Sequence, residues 1–232
     1  MIAAVHVDTG EQVADTLRQI AGKGVVVQPW GSGSWGLTPV GDDLQIVRLE
    51  LTRLNRVIRI EAADFFVQCE PGVLLADLAS ELAEQNLEFP FLTRESPGTV
   101  GGMVASGQLR GGSECYRISR WVVALKVILS DARETVTGAL TFKSVAGYDL
   151  PKLICGSFGT LGVISEVSLR LFPKGKPPFG KDLQPQPCRL PRLEVAGTQA
   201  SPRDESERIA QELKKSFDLQ GIFPIISGWN QG

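Results

Sequence analysis

Residues 141–164 have the sequence TFKSVAGYDLPKLICGSFGTLGVI, which places four glycines between two hydrophobic runs. The run that continues from Val163 to Phe172 alternates apolar and polar residues, and this period predicts a half-buried strand. A Gly-Thr-Leu-Gly turn before that strand lets the backbone approach a ligand that side chains would exclude. A plain hairpin corner explains the same spacing, so this stretch alone leaves both interpretations open.

Two further glycine clusters lie upstream. Gly31–Ser34 follows a predicted strand and would direct several backbone N–H groups into one concavity, which suits a diphosphate. Residues 97–112 carry six glycines, and we interpret them as a second backbone-rich loop. With Gly159–Gly162 as a third surface, the clusters would line one slot that fits an extended dinucleotide. Three unrelated tight turns are the alternative.

Several classes of protein fit the sequence poorly. The pattern G-x-G-x-x-G that opens a helix is absent after Gly31, and no P-loop lysine is present, which disfavours nicotinamide-binding and NTPase folds. A net charge of −2 provides no basic footprint for nucleic acid. No apolar run approaches the ~20 residues that span a bilayer. The first residues lack a basic region followed by an apolar core, so we expect a cytoplasmic protein without a transmembrane segment.

The cysteines and the single histidine offer little chemistry. The four cysteines form no C-x-x-C pair, and we expect free thiols in a reducing compartment and no metal site. His6, the only histidine, is expected on the surface or in a strand. The sequence therefore provides no histidine after position 6 for a catalytic Ser-His-Asp relay.

Hydrophobic periodicity divides the chain into three parts: residues 1–61, 62–173 and 174–232. In the first lobe we expect a helix at 11–22 and strands at 25–27, 44–49 and 56–60. In the second we expect strands at 65–70, 121–130, 135–138 and 163–172, and a helix after Pro71 with Leu74, Leu78 and Leu82 on one face.

The C-terminal part differs in composition. Seven of the fourteen prolines fall between Pro173 and Pro202, which indicates a linker or a wrapping arm. An amphipathic helix is predicted at 203–217. Its stripe of Ile209, Leu213 and Phe217 is typical of a docking face.

Five short motifs together resemble a known family. VQPWGSGS, PG, PGTVGGMVASG, VAGYDLPKL and GSFGTLGVI follow one another at residues 27–34, 71–72, 97–107, 145–153 and 156–164. This order resembles the FAD-binding domain of the vanillyl-alcohol-oxidase/PCMH superfamily, and within it the E subunit of bacterial glycolate oxidase (glycolate dehydrogenase). The resemblance covers about residues 1–173. It implies an α+β fold, a PCMH-type FAD-binding domain of two α/β subdomains, followed here by a short proline-rich arm and a helix.

The resemblance also implies the cofactor and its site. Ser34 stands where some relatives carry a flavin-linking histidine, so FAD is expected to bind noncovalently. Lys143 matches a basic residue of the glycolate oxidase pattern, and a solvated lysine is its alternative interpretation. No catalytic residue is assigned. The residues expected to bind FAD are Trp30, Gly31, Ser32, Gly33, Ser34, Pro97, Gly98, Thr99, Val100, Gly101, Gly102, Ala105, Ser106, Gly107, Gly159, Gly162 and Ile164.

One departure from the family directs the functional hypothesis. Relatives carry a substrate-covering cap of a hundred or more residues before a short closing segment, whereas here the matching FDLQGIFP, residues 217–224, follows a proline-rich arm. We therefore expect an accessory, electron-transfer subunit of a glycolate oxidase-type complex, with a cap-bearing FAD subunit and an iron–sulfur subunit as partners and any membrane contact made through them. A stand-alone FAD-dependent glycolate or D-lactate dehydrogenase and a scaffold that has lost FAD are the alternatives.

Overall fold

A computed structural model of the protein describes residues 2–36, 45–111, 114–138, 150–176, 184–188, 192–194 and 205–227. In chain order the elements are β1 (Ile2–His6), α1 (Gly10–Ile20), β2 (Val26–Trp30), β3 (Ile46–Glu50), β4 (Val57–Glu61), β5 (Phe66–Cys69), α2 (Leu75–Glu84), β6 (Leu87–Glu88), α3 (Val100–Ser106), β7 (Gln108–Gly111), β8 (Glu114–Arg117), β9 (Val122–Ile128), β10 (Glu134–Gly138), α4 (Leu150–Ile154), β11 (Val163–Arg170), β12 (Phe172–Pro173), β13 (Gln186–Pro187), β14 (Arg192–Glu194), α5 (Glu205–Phe217) and β15 (Ile225–Ser227). None of the helices in these ranges is long and apolar enough to cross a membrane.

The N-terminal elements form a small parallel sheet with one helix. The strands lie in the order β1-β3-β2, and both outer strands run parallel to β3. Helix α1 begins after Thr9, whose hydroxyl accepts a hydrogen bond from the amide of Gln12. It buries Val13 and Leu17, as the helical spacing predicts.

A larger antiparallel sheet follows, in the order β10-β9-β11-β5-β4. Its central strand β11 buries residues on both faces, so Val163, Val167 and Leu169 are almost completely enclosed. The predicted strand at 163–172 is confirmed, although the strand is buried more deeply than the alternating pattern suggested. Helix and strand content together confirm the α+β class.

The two sheets share a core. One hydrophobic cluster joins the second sheet to α2 and α3. The other contains Val13 of α1, Val27 of β2, Ile128 of β9 and, from the far end of the chain, Ile222 and Phe223. The C-terminal segment therefore packs inside the domain rather than beside it.

Two local predictions need correction. Residues 97–112 are not one long loop, because Thr99 caps a short helix, α3, that carries two glycines of the cluster. On α2 the buried stripe consists of Leu75, Leu78 and Leu82, whereas Leu74 is exposed and precedes the helix.

The domain division at residues 61 and 173 stays a prediction. The pairing of the strands adds one relevant fact: β4, grouped above with residues 1–61, pairs with β5 in the second sheet. The change from one sheet to the other thus lies between Glu50 and Val57.

The cysteine prediction is half wrong. Strand β13 of the C-terminal arm pairs antiparallel with β8 and thereby places Cys188 beside Cys115, with 5.0 Å between their Cα atoms, and the two form a disulfide. Sequence spacing could not reveal this, because 73 positions separate the two residues. Cys69 and Cys155 are free, as expected, and burial raises the pKa of each thiol to about 12.

Helix α5 lies where the amphipathic pattern predicts it. Phe217 packs against the larger core, Leu213 is half-buried, and Ile209 is 49% exposed. Only the C-terminal half of the predicted stripe therefore docks onto the domain.

Candidate cofactor site

The first predicted binding segment, Trp30–Ser34, leaves the end of β2. The carbonyl of Trp30 accepts from the amide of Leu51, and Gly33, at φ +73°, accepts from the amide of Gly36. Among the backbone hydrogen bonds between described residues, none uses the amides of Ser32, Gly33 or Ser34 as donors. Successive main-chain N–H groups of this kind are what a diphosphate-binding nest uses.

The second predicted binding segment, residues 97–107, lies directly against the first. A Cβ placed on Gly31 would come 2.5 Å from the hydroxyl oxygen of Thr99, and one placed on Gly98 would come 2.8 Å from the hydroxyl oxygen of Ser34. Such distances leave no room for side chains. The absence of side chains at Gly31 and Gly98 lets the hydroxyls of Thr99 and Ser34 pack closely on the facing segment.

Helix α3 shapes the second segment. The hydroxyl of Thr99 accepts from the amide of Gly102 at the start of the helix, and Gly107 ends it in the left-handed conformation at φ +68°. The amide of Gly101 donates to the carbonyl of Pro71 over 2.8 Å, and a Cβ there would collide with the proline ring. Gly101 thus serves the packing of α3 on the turn at Pro71.

The third segment, Gly156–Gly162, docks on the end of α3. The amide of Gly156 donates to the carbonyl of Val104 and that of Phe158 to Ala105, over 3.1 and 2.7 Å. Gly159 lies at φ +77°, and a Cβ on it would come 3.2 Å from Pro29 in β2. The third segment therefore contacts the second directly and lies beside Pro29, the residue that precedes the first segment.

Five of the predicted residues are buried or closely packed. Almost completely buried are Thr99, Val100, Ser106 and Ile164, and Ser106 donates its hydroxyl to the carbonyl of Met103. A Cβ on Gly162 would come 2.6 Å from Val127 of β9. These five residues could meet a ligand only through their main chain. Apart from Ile164, all of the predicted residues lie in the three segments.

Arg110 of β7 is a site residue that the sequence interpretation missed. Its Nη1 donates to the carbonyl of Ser34 over 3.3 Å, and its guanidinium lies 5.0 Å from the centre of the Trp35 ring. It places a positive charge beside the first segment. Only the hairpin of β7 and β8 brings it there, so no local pattern could have predicted it.

Comparison with known proteins identifies the family. A family model described as FAD binding domain matches residues 1–138. This chain belongs to that family. The first two glycine segments lie within the matched residues, and the resemblance to the vanillyl-alcohol-oxidase/PCMH superfamily is confirmed.

Relatives of this FAD-binding domain include three similar dehydrogenase or oxidase chains. It is 34% identical to a D-lactate dehydrogenase of Anaerostipes hadrus over 74% of its own length and 36% of the relative's. It is 32% identical to the glycolate oxidase subunit GlcD of Bacillus subtilis over 65% of its own length and 32% of the relative's. It is 30% identical to a D-lactate dehydrogenase of Archaeoglobus fulgidus over 73% of its own length and 38% of the relative's. The chain thus spans about a third of the length of the curated relatives it matches.

A solved structure shares the fold of this FAD-binding domain. Alkyldihydroxyacetonephosphate synthase superposes with a TM-score of 0.59 and 21% identity, over 73% of this chain and 31% of the synthase. At this identity the likeness shows the fold alone. The predicted PCMH-type FAD-binding fold is thereby confirmed.

The residues present fit FAD. Two glycine segments pack against each other and present main-chain amides of the kind that bind a diphosphate, and the positive charge of Arg110 lies beside them. FAD is the cofactor of this family, and the individual contacts remain the prediction made from the sequence. Residues 139–149, which include Lys143 and the start of the opening motif, lie outside the described residues.

Two other polar side chains lie away from the glycine segments. His6 is in β1, where its Nδ1 is 3.0 Å from Glu50. Arg117 is in β8 and donates to Gln186 of the C-terminal arm. Neither side chain is placed to act at the three segments.

Proposed function

We propose that this chain is the FAD-binding accessory subunit of a glycolate oxidase-type 2-hydroxy-acid dehydrogenase complex, in which it relays electrons. The main support is the short length of the segment between β12 and α5. After β12 only the arm at 174–204 precedes α5, and the closing segment then buries Ile222 and Phe223 in the core of the FAD-binding domain. An arm of this length has no room for a substrate-covering domain.

The chemistry that FAD supplies when bound is two-electron oxidation combined with one-electron transfer. The residues proposed to hold it are the amides of Ser32, Gly33 and Ser34, with Arg110 as the neighbouring cation and the backbone of Gly98–Gly102 alongside. A 2-hydroxy acid also needs a base near its hydroxyl and cations for its carboxylate. His6, the only histidine in the sequence, lies in β1 beside Glu50 and away from the glycine segments. We therefore expect a partner subunit to supply the base.

The partners that fit this role are a cap-bearing FAD subunit and an iron–sulfur subunit. The similarity to the glycolate oxidase subunit GlcD supports the complex. The similarity to the D-lactate dehydrogenases supports a second candidate, a stand-alone FAD-dependent 2-hydroxy-acid dehydrogenase.

Reconstitution separates the candidates. The purified chain should contain FAD and should not oxidise glycolate or D-lactate with a dye acceptor until the two partner subunits are added. Turnover of either acid by the chain alone would establish the stand-alone enzyme. A chain that takes up no FAD would be the scaffold. Since Ser34 offers no imidazole, denaturation should release all flavin into the supernatant.

The proposal includes a cytoplasmic location, with membrane contact only through partners. Disulfides are rare in the cytosol, so the state of Cys115 and Cys188 in the native source tests this part independently. Two reduced cysteines in rapidly quenched cells would support the cytoplasm, whereas a quantitative disulfide would place the chain in an oxidising compartment.

A further inference from the structure

Lys214 of α5 is a lysine whose ammonium group is enclosed. Its side chain is 15% exposed, and Nζ lies 2.6 Å from the carbonyl of Thr160, 2.5 Å from Oδ2 of Asp218 and 3.1 Å from the carbonyl of Phe223. An ammonium has three N–H groups, and each has an acceptor here. Lys215, the next residue, is exposed.

Asp218 completes the arrangement. Its carboxylate is fully buried and accepts from the amides of Ile222 and Phe223 over 3.1 and 3.0 Å, which closes the turn after α5. The carbonyl of Ile222 then accepts from the amide of Val27 in β2 over 2.7 Å. The ion pair therefore joins α5 and the closing segment to the strand that leads into Trp30–Ser34.

The carbonyl that Lys214 holds belongs to the third glycine segment. Thr160 lies between Gly159 and Gly162, and its hydroxyl and amide both donate to the carbonyl of Ser157, which makes a tight turn. The amides of Gly156 and Phe158 in the same segment donate to the carbonyls of Val104 and Ala105. Lys214 supplies a further hydrogen bond to the segment, from a part of the chain that the family model does not match.

We propose that Lys214 and Asp218 are positioning residues for the cofactor, because they hold the Gly156–Gly162 turn in the place that FAD binding needs. This inference rests on the proposed FAD site. It assigns to the closing segment a role in cofactor affinity. Removal of the lysine should free the Thr160 carbonyl, loosen the turn and weaken FAD binding while the sheets stay intact.

The test compares Lys214→Met with matched controls in the full chain. Each variant is stripped of flavin, and its dissociation constant is measured by titration with FAD. We expect Lys214→Met to bind FAD about tenfold more weakly, which corresponds to one hydrogen bond from a charged group. Lys215→Met should bind as the wild type does. Leu82→Ala, a cavity at the far end of α2, shows what general destabilisation alone does to affinity.

A double variant separates the loss of the Thr160 contact from the cost of an unpaired buried charge. Lys214→Met leaves a buried carboxylate without its partner, whereas Lys214→Met combined with Asp218→Asn removes both charges together. Hydrogen exchange of the flavin-free protein gives a second measurement. Amides of residues 157–162 should exchange faster in both variants, and those of β9 and β11 should not.

The outcomes are distinct. FAD affinity within twofold of the wild type in the double variant, or no greater loss than in Leu82→Ala, would overturn the positioning role. A wild-type chain that binds no FAD would overturn the proposed function and this inference with it.

Discussion

Gly98 and Ser34, 64 positions apart in the sequence, are packed so closely that a Cβ on Gly98 would lie 2.8 Å from the Ser34 hydroxyl oxygen. Gly98 also adopts φ +103°, a conformation that residues with side chains rarely adopt. The first and second cofactor segments meet at this point. Both the contact and the conformation therefore disfavour any side chain at position 98.

We expect Gly98→Ala to lose FAD. The substitution should cost about 1–3 kcal/mol in backbone strain and also push Ser34 away from its place. Flavin per chain and the urea midpoint of the flavin-free protein measure the two effects. Gly24→Ala is a matched control, because Gly24 lies at φ +65° with nothing within 4 Å of its would-be Cβ. Equal flavin content in the two variants would contradict the role of Gly98.

Gly102 and Gly162 should respond differently to valine, although the sequence interpretation treats them alike. At Gly102 the nearest atoms to a new Cβ are 3.4 and 3.9 Å away, so Gly102→Val should spare the fold and affect only the ligand side. At Gly162 the Cβ would meet Val127 of β9, so Gly162→Val should destabilise the fold by about 1–3 kcal/mol.

Flavin content and the unfolding midpoint separate the two cases. Gly102→Val should lose flavin with an unchanged midpoint, and Gly162→Val should lower the midpoint in the flavin-free protein as well. If Gly102→Val kept full flavin, α3 would not face the cofactor.

The sequence predicts most of the fold because its strongest patterns are local. The helix at 11–22 and the strand at 121–130 are close to α1 and β9, since apolar spacing directly records which face is buried. The glycine-rich stretch at 97–112 misled the interpretation. Glycine disfavours helices on average, but the Thr99 cap and the contact of Gly101 with Pro71 stabilise α3.

What the sequence cannot predict here is contact between distant segments. Lys214 and Asp218 are four positions apart, a spacing that favours an ion pair at a helix end and is visible in the sequence. Their link to Thr160, and the link of Arg110 to Ser34, depend on how the two sheets and the closing segment pack. Motif order identified the cofactor, and only the fold shows which residues support its site.

The disulfide predicts a thiol count and a stability change. Denatured, unreduced protein should react with Ellman's reagent at two thiols, Cys69 and Cys155, and reduced protein at four. Reduction should lower the free energy of unfolding by up to about 4 kcal/mol, since the cross-link closes a long loop. Cys188→Ser should reproduce this loss and become insensitive to reductant. Four reactive thiols in the unreduced chain would show that the bond does not form.

The two free thiols predict a dependence on alkaline pH. Burial raises the pKa of Cys69 and of Cys155 from 9.0 to about 12, and at Cys69 the charges of Glu166, Glu70 and Glu81 add to the effect. Because the thiolate is the reactive form, iodoacetamide at pH 9 should label both residues at least about a hundredfold more slowly in the native protein than in urea.

The raised pKa values of Cys69 and Cys155 also predict that the folded state loses stability at alkaline pH. A folded-state pKa above the unfolded value means that the protonated thiols favour the folded state. Their contribution is complete below pH 9 and is lost as the pH rises from 9 to about 12. The informative quantity is the difference in stability between the wild type and Cys69→Ala/Cys155→Ala at each pH, because that difference isolates the two thiols. The wild type should lose stability more steeply over this window, and parallel urea midpoints in the two proteins would show that neither thiol is held protonated by the fold.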